Sequence, residues 1–158
     1  MRKSLLLILV MLLAACSSKR EPRENPLIAE AKRCATRGAE MTCARPILSV
    51  ANLKASQAYY RDALGFKLDW EHGDPPGFAS VSRGDFVLFM CEGCQGKGGA
   101  WSMTFMHDVD KYYAELKSRG AIVRQPPKDE AWGLREMQVA DPDGNVIRFA
   151  ASGDHDDD

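Results

Sequence analysis

The sequence predicts an α+β fold of two βαβββ modules, and two observations carry that expectation. A strand, helix, glycine and strand pattern occurs twice. Asn52-Leu53 leads into a helix with Tyr59-Tyr60, then Gly65 and a strand over 66–70; Asp108-Val109 leads into a helix with Tyr112-Tyr113, then Gly120 and a strand over 122–124. Each copy also ends in a strand opened by a turn, Gly84-Asp85 before 86–90 and Asp143-Gly144-Asn145 before 146–150. A period of about fifty residues marks a supersecondary unit that cannot bury its apolar face alone. The two halves are therefore expected to share one sheet.

Element by element, a first strand spans 45–50. Asn52 caps the helix after it, where Ala55, Tyr59 and Ala63, with Tyr60 and Leu64, recur at i, i+4 spacing on an inner face. Phe66, Leu68 and Trp70 alternate with Lys67, Asp69 and Glu71 as a half-buried strand. Asp74-Pro75-Pro76-Gly77 makes a turn, because proline fixes φ and glycine relieves it. Residues 78–82 and 86–91 form a hairpin about Gly84-Asp85. The glycine-rich stretch 93–99 reads as a hinge and not a phosphate cradle, since neither a helix start nor Gly-Lys-Ser/Thr follows. In the second half 101–106 is a strand, and Asp108 caps a helix with Val109, Tyr112, Tyr113 and Leu116 at i, i+3, i+4, i+7. Pro126-Pro127 is expected to break the next strand. Residues 135–140, the turn Asp141-Pro142-Asp143-Gly144-Asn145, and 146–150 close the module.

The ends of the chain are not part of this fold. Arg2-Lys3 precede a short apolar run, too short to span as a transmembrane helix, which reads as a secretory signal. It ends in Leu13-Ala14-Ala15-Cys16, which resembles the bacterial lipoprotein signal, in which the cysteine is acylated and becomes the mature terminus. The division is a signal peptide over 1–15, a lipidated tether over 16–44 with room for a short helix, a compact domain over 45–151 and an acidic tail over 152–158. Ser17-Ser18 after the cysteine imply, by the same resemblance, a place in the cell envelope at the outer membrane, facing the periplasm. Loss of Arg2 and Lys3 leaves 19 basic against 22 acidic side chains, a net charge of about −3, which points away from nucleic acid. His155 among the terminal aspartates reads as tail, not as a metal site.

Apart from Cys16, Cys34, Cys43, Cys91 and Cys94 remain. An even number in an exported chain reads as disulfides, and local pairing is the simplest of three connectivities. Cys91-Glu92-Gly93-Cys94 has redox-motif spacing but follows a strand, whereas an activated thiolate wants a helix N-terminus. It is read as a structural clip.

The stretches 47–66, 107–116 and 132–149 together resemble the vicinal oxygen chelate superfamily, which includes glyoxalase I, extradiol dioxygenases and bleomycin-resistance proteins. The Trp132-Gly133, Arg135-Glu136 and Asp141-Pro142-Asp143-Gly144-Asn145 ending is closest to the bleomycin-resistance branch. The resemblance implies a mixed sheet curled around a cavity, with helices on its outer face, and a pocket at a homodimer interface. Its metalloenzymes hold a divalent ion from the first and last strand of each module; carried over, those positions are Arg45, Phe89, Trp101 and Arg148. None offers a carboxylate, imidazole or carbonyl, so no metal cofactor is expected. What remains is a wall of Phe89, Trp101, Met103 and Phe105, with Trp132 at the mouth and Glu136 and His107 as ionisable neighbours. Aromatic faces stack a planar molecule, and Arg45 and Arg148 offer forks for a carboxylate or phosphate. The opposing readings are that Trp101 and Phe105 fill a core, that Arg148 pairs with Glu136, and that His107 is a surface residue.

The leading expectation is a lipid-anchored, metal-free protein that binds a planar organic ligand, anionic where the arginines orient it. Two alternatives stand beside it: a metal-dependent lyase or dioxygenase holding one divalent ion, and an envelope interaction module whose cavity is filled by its own side chains.

Overall fold

The structure is a computed structural model that describes residues 24–35, 43–94 and 96–152. The segment read as a signal, Cys16, His155 and the residues beyond Ser152 lie outside the described residues. The elements run α1 (Pro26–Ala35), β1 (Ile47–Val50), α2 (Leu53–Asp62), β2 (Lys67–Gly73), β3 (Pro76–Arg83), β4 (Phe86–Glu92), β5 (Trp101–Phe105), α3 (Val109–Ser118), β6 (Ile122–Asp129), β7 (Leu134–Ala140) and β8 (Val146–Ser152). Both expected helix caps are present: the Ala55 N–H donates to Asn52 Oδ1 at 2.8 Å and the Lys111 N–H to Asp108 Oδ1 at 2.8 Å.

The two-module α+β arrangement is as expected, but the halves do not share one sheet. Each builds its own four-stranded mixed sheet, in the orders β1-β4-β3-β2 and β5-β8-β7-β6, and neither closes into a barrel. The first strand of each module runs parallel to the last, β1 with β4 and β5 with β8, which the intervening helix makes possible. What the halves share is a core. Leu48, Val50, Met90, Val81, Met137, Val139, Ile147 and Phe149 belong to one buried cluster with Leu53, Tyr60, Tyr112 and Leu116 of the helices. Alternation along a strand sends the neighbouring residues to the opposite face. Each sheet therefore has a helix-covered face turned toward the other module and a second face turned away, here termed the open face.

Two strands depart from expectation. The strand carrying Pro126-Pro127 is not broken, because β6 is an edge strand and runs through both prolines with a register shift between Gln125 and Lys128. A proline is tolerated where its missing N–H faces no ladder partner. In β2 a register shift between Leu68 and Trp70 interrupts the alternation, so Leu68 pairs with core-facing Val81 whereas Trp70 pairs with Ser80 on the other face. A bulge inserts one extra residue and re-aims those that follow.

The modules are joined at the turn before β8. Buried Asn145 accepts at Oδ1 from Gly99 N (3.2 Å) and Ala100 N (3.1 Å) and donates from Nδ2 to Ser49 O (3.2 Å) and Asp141 Oδ2 (2.8 Å). Asp141 accepts further from Asp143 N (2.9 Å), Asn145 N (2.9 Å) and Tyr60 Oη of α2 (3.2 Å). Tyr59 Oη donates to Ala140 O at 2.8 Å, and Tyr112 Oη reciprocally to Leu64 O at 2.8 Å. Arg83 of β3 forks onto Glu115 of α3 at 2.9 and 2.7 Å, bonds Leu64 O at 2.9 Å and lies 4.4 Å over the Tyr112 ring. Gly65, at φ 70°, leaves room for it, since a Cβ there would collide with the Arg83 guanidinium.

Burial raises the Asp141 pKa, partly offset by the bonds from Asn145. A carboxyl whose folded pKa exceeds its unfolded value contributes stability that is present in acid and lost as pH rises through the folded pKa. Tyr60 donates to the ionised form, so Tyr60→Phe should cost about 1–2 kcal/mol at neutral pH and less in mild acid, measured by urea unfolding at each pH. Asn145→Asp would set two carboxylates together in the interior and should cost about 3 kcal/mol or more by the same measurement.

Candidate ligand-binding faces

The open faces carry the residues expected to meet a ligand, and they fall into two groups on different sheets. On the second sheet, β5 presents Trp101, Met103 and Phe105 on the same side, with Met103 beside Arg148 in register. Trp101 and Phe105 are 56% and 70% exposed, so they do not fill a core. Trp132 stands on the turn between β6 and β7, where Gly133 N donates to Glu130 O at 3.0 Å, and it is likewise exposed. His107 is exposed just ahead of α3, which makes it a surface residue.

Behind these rings lies a polar floor. Glu136 is only 1% exposed; Trp132 Nε1 donates to its Oε1 at 2.8 Å, and Arg148 Nη2 donates to its Oε2. A buried carboxylate needs such partners, because desolvation would otherwise cost several kcal/mol. Arg148 also lies 5.9 Å over the Trp132 ring, and its buried Nε has no hydrogen-bond partner among the described residues. Gln138 donates to Gln125 and Gln125 to Glu130, each at 3.0 Å. Arg124, not anticipated from the sequence, stands 5.9 Å over Trp101.

On the first sheet Phe89 is nearly buried in an aromatic cluster with Trp70 and Phe78, ring centroids 5.1 and 5.5 Å away. The sequence places Trp70 in a strand and Phe78 in a hairpin; the β2 bulge and the Trp70–Ser80 and Phe78–Cys91 registers bring them to the open face. Arg45 does not reach into this face as a free cation. Its Nε and Nη2 bond Glu30 Oε1 of α1 at 3.0 and 2.9 Å. Arg45 and Arg148, the two residues expected to orient an anion, thus each already face a carboxylate.

Arg45, Phe89, Trp101 and Arg148 supply no donor suited to a divalent ion, and the two guanidiniums are committed to Glu30 and Glu136. The residues present do not fit a metal at those positions. The Cα atoms of Cys34 and Cys43, and of Cys91 and Cys94, are 5.7 Å apart in each pair, within the span a disulfide bridges.

The model of the glyoxalase/bleomycin resistance protein/dioxygenase superfamily matches residues 42–149. The chain belongs to this superfamily. Among curated proteins it is 30% identical to the bleomycin resistance protein of Geobacillus stearothermophilus over 125 residues, covering 66% of this chain and 92% of that protein. Of solved structures, the bleomycin-binding protein of Streptomyces verticillus in complex with copper(II)-bleomycin superposes with a TM-score of 0.59 at 25% identity, covering 72% of this chain and 98% of that one. The bleomycin resistance determinant of transposon Tn5 gives a TM-score of 0.61 at 22% identity, over 71% and 98% of the two chains. As a bleomycin-resistance-like member of the superfamily, the chain has the two-module fold of these proteins.

Arg148→Ala leaves the Glu136 carboxylate buried without its cation and should cost about 3 kcal/mol of stability. The double replacement with Glu136→Ala should recover most of that loss, as read from chemical unfolding of the three variants.

Proposed function

We propose that the protein binds a planar organic molecule on the open face of its second module, without a metal ion and without catalysing a reaction. The observation that carries this reading is the exposure of Trp101, Phe105 and Trp132 around a buried polar floor. A soluble domain rarely leaves several large apolar side chains together in water unless the patch meets a partner. A planar molecule would stack on the indole and phenyl faces, and the part-exposed Arg148 guanidinium would donate to a carbonyl or ring nitrogen. Because Glu136 balances Arg148, stacking and hydrogen bonding contribute more than net charge. Relatives that bind bleomycin make such antibiotics the first compounds to test.

The open face is one wall rather than an enclosure, so a second copy supplying the opposite wall completes the site; this is the homodimer reading. Acylation at Cys16 would hold the protein in the envelope, with a membrane affinity of about 0.8 kcal/mol per buried methylene.

A thermal-shift screen of bleomycins and aromatic acids, with and without chelator, is expected to give a hit whose shift is unaffected by chelator, since a ligand of the folded state raises stability by mass action. Trp101→Ala should weaken that hit about tenfold, as expected for loss of a stacked face worth roughly 1–2 kcal/mol, and should leave folding intact. A hit lost on chelation, or unchanged by Trp101→Ala, removes the reading. Cys16→Ser should move the protein from the membrane pellet to the soluble fraction; continued pelleting would rule out the anchor.

A further inference from the structure

Helix α1 lies ahead of the superfamily match, which begins at residue 42, yet it is seated on the domain. Leu27, Glu30 and Cys34 form its covered side, with Ile28 and Lys32 exposed. Glu30 is only 8% exposed, and it is ringed by Arg45, at 3.0 and 2.9 Å, by Arg33, and by Cys34 Sγ at 3.8 Å. Between helix and sheet a cavity of about 120 Å³ is lined by Arg33, Arg45, Lys67, Asp69, Ser82 and Val87. Ser82 and Val87 are partners in the β3–β4 register, and Lys67 pairs with Ser82. α1 therefore crosses the open face of the first sheet along the row from Arg45 through Val87 and Ser82 to Asp69. The next row holds Phe89 and Trp70.

The internal repeat gives the comparison. Arg45, two residues before β1, and Trp101, the first residue of β5, hold corresponding places in the two modules, each two residues before the partner of Phe89 or Arg148. One is covered by a helix; the other stands open, with Trp101 56% exposed. A ten-residue helix is marginal by itself, so tertiary contacts hold α1 in place, and the pair of Glu30 with Arg45 is the polar latch among them.

We propose that α1 is an intramolecular cap on the first module's open face, latched by Glu30 on Arg45, which keeps the Trp70–Phe78–Phe89 face from taking the planar aromatic ligands that the second module's face takes. This rests on reading the open faces as ligand-binding. A binding face populated only when its cap is open shows an affinity reduced by that open fraction. Opening the latch should therefore create a second site without altering the first.

The test uses the full chain and Nile red, a neutral planar dye, followed by fluorescence titration. Glu30→Ala should add a binding phase about tenfold tighter than any second phase in the wild type. Trp70→Ala in that background should abolish the gain, and the charge swap Glu30→Arg with Arg45→Glu should restore wild-type behaviour. No gain in a variant with native near-ultraviolet circular dichroism overturns the cap, as does a gain that survives Trp70→Ala. If Glu30→Ala does not fold, hydrogen exchange on the unaltered chain decides. Amides of α1 exchanging through their own opening, well ahead of those of β3 and β4, support a cap; exchange only on global unfolding makes α1 an integral part of the fold and overturns it. Dye binding by the wild type that ignores Trp101→Ala would remove the ligand reading of the second module, a result independent of the Trp70-dependent gain.

Discussion

The buried turn from Asp141 to Asn145 fixes how the two halves of this protein meet. Asn145 spends both amide groups on four partners drawn from β1, from the approach to β5 and from its own turn. Asp141 draws in the Tyr60 hydroxyl of α2. In an interior of low dielectric, such a network is worth most when every member is satisfied and costs most when one is missing. It ties the two modules together beside the core that they share. The position of every candidate ligand contact follows from that arrangement.

Much of the fold was legible because the two modules repeat. Helix caps, the Gly84-Asp85 hairpin and the final Asp-Pro-Asp-Gly-Asn turn are local chemistry, and local chemistry is written in adjacent residues. The paired tyrosines that revealed the duplication proved to clasp the modules: Tyr59 bonds the second module's Ala140 carbonyl and Tyr112 the first module's Leu64 carbonyl. That crossing was not visible in sequence, since a hydroxyl's partner some eighty residues away leaves no local mark. The expectation of one shared sheet failed for a related reason. Alternation shows which face a residue takes, not whether two sheets join at their edges or meet through their helices.

The candidate site was legible in part. Strand parity put Trp101, Met103 and Phe105 on one face, and the suggestion that Arg148 pairs with Glu136 was sound. Trp70 was hidden by the β2 bulge, which one extra residue suffices to create. Arg124 depends on the same kind of irregularity, between Val123 and Gln125. Glu30 lay in a stretch that reads as tether, and its partner Arg45 is fifteen residues away. The leading reading makes both guanidiniums anion receptors, with the Glu136 pairing of Arg148 as its alternative, because a sequence shows charge without showing its counter-charge.

The repeat also explains why the two faces can differ without harm to the fold. Duplication gives each module a helix-covered face that the core requires and an open face that it does not. Mutation on the first face is punished through packing, on the second only through whatever binds there. Among the described residues Trp101, Met103, Phe105 and Trp132 supply four of the eight large apolar side chains left exposed, all on one open face or at its rim. The first module gathers Trp70, Phe78 and Phe89 at the equivalent place but keeps Phe89 from water. Stability alone would favour covering both faces, at roughly 25 cal/mol for each Å² of apolar surface removed from water. Leaving one aromatic face open while a short added helix lies beside the other forgoes that gain on one side only. Selection for stability alone does not produce that asymmetry, whereas the binding role proposed for the open face would.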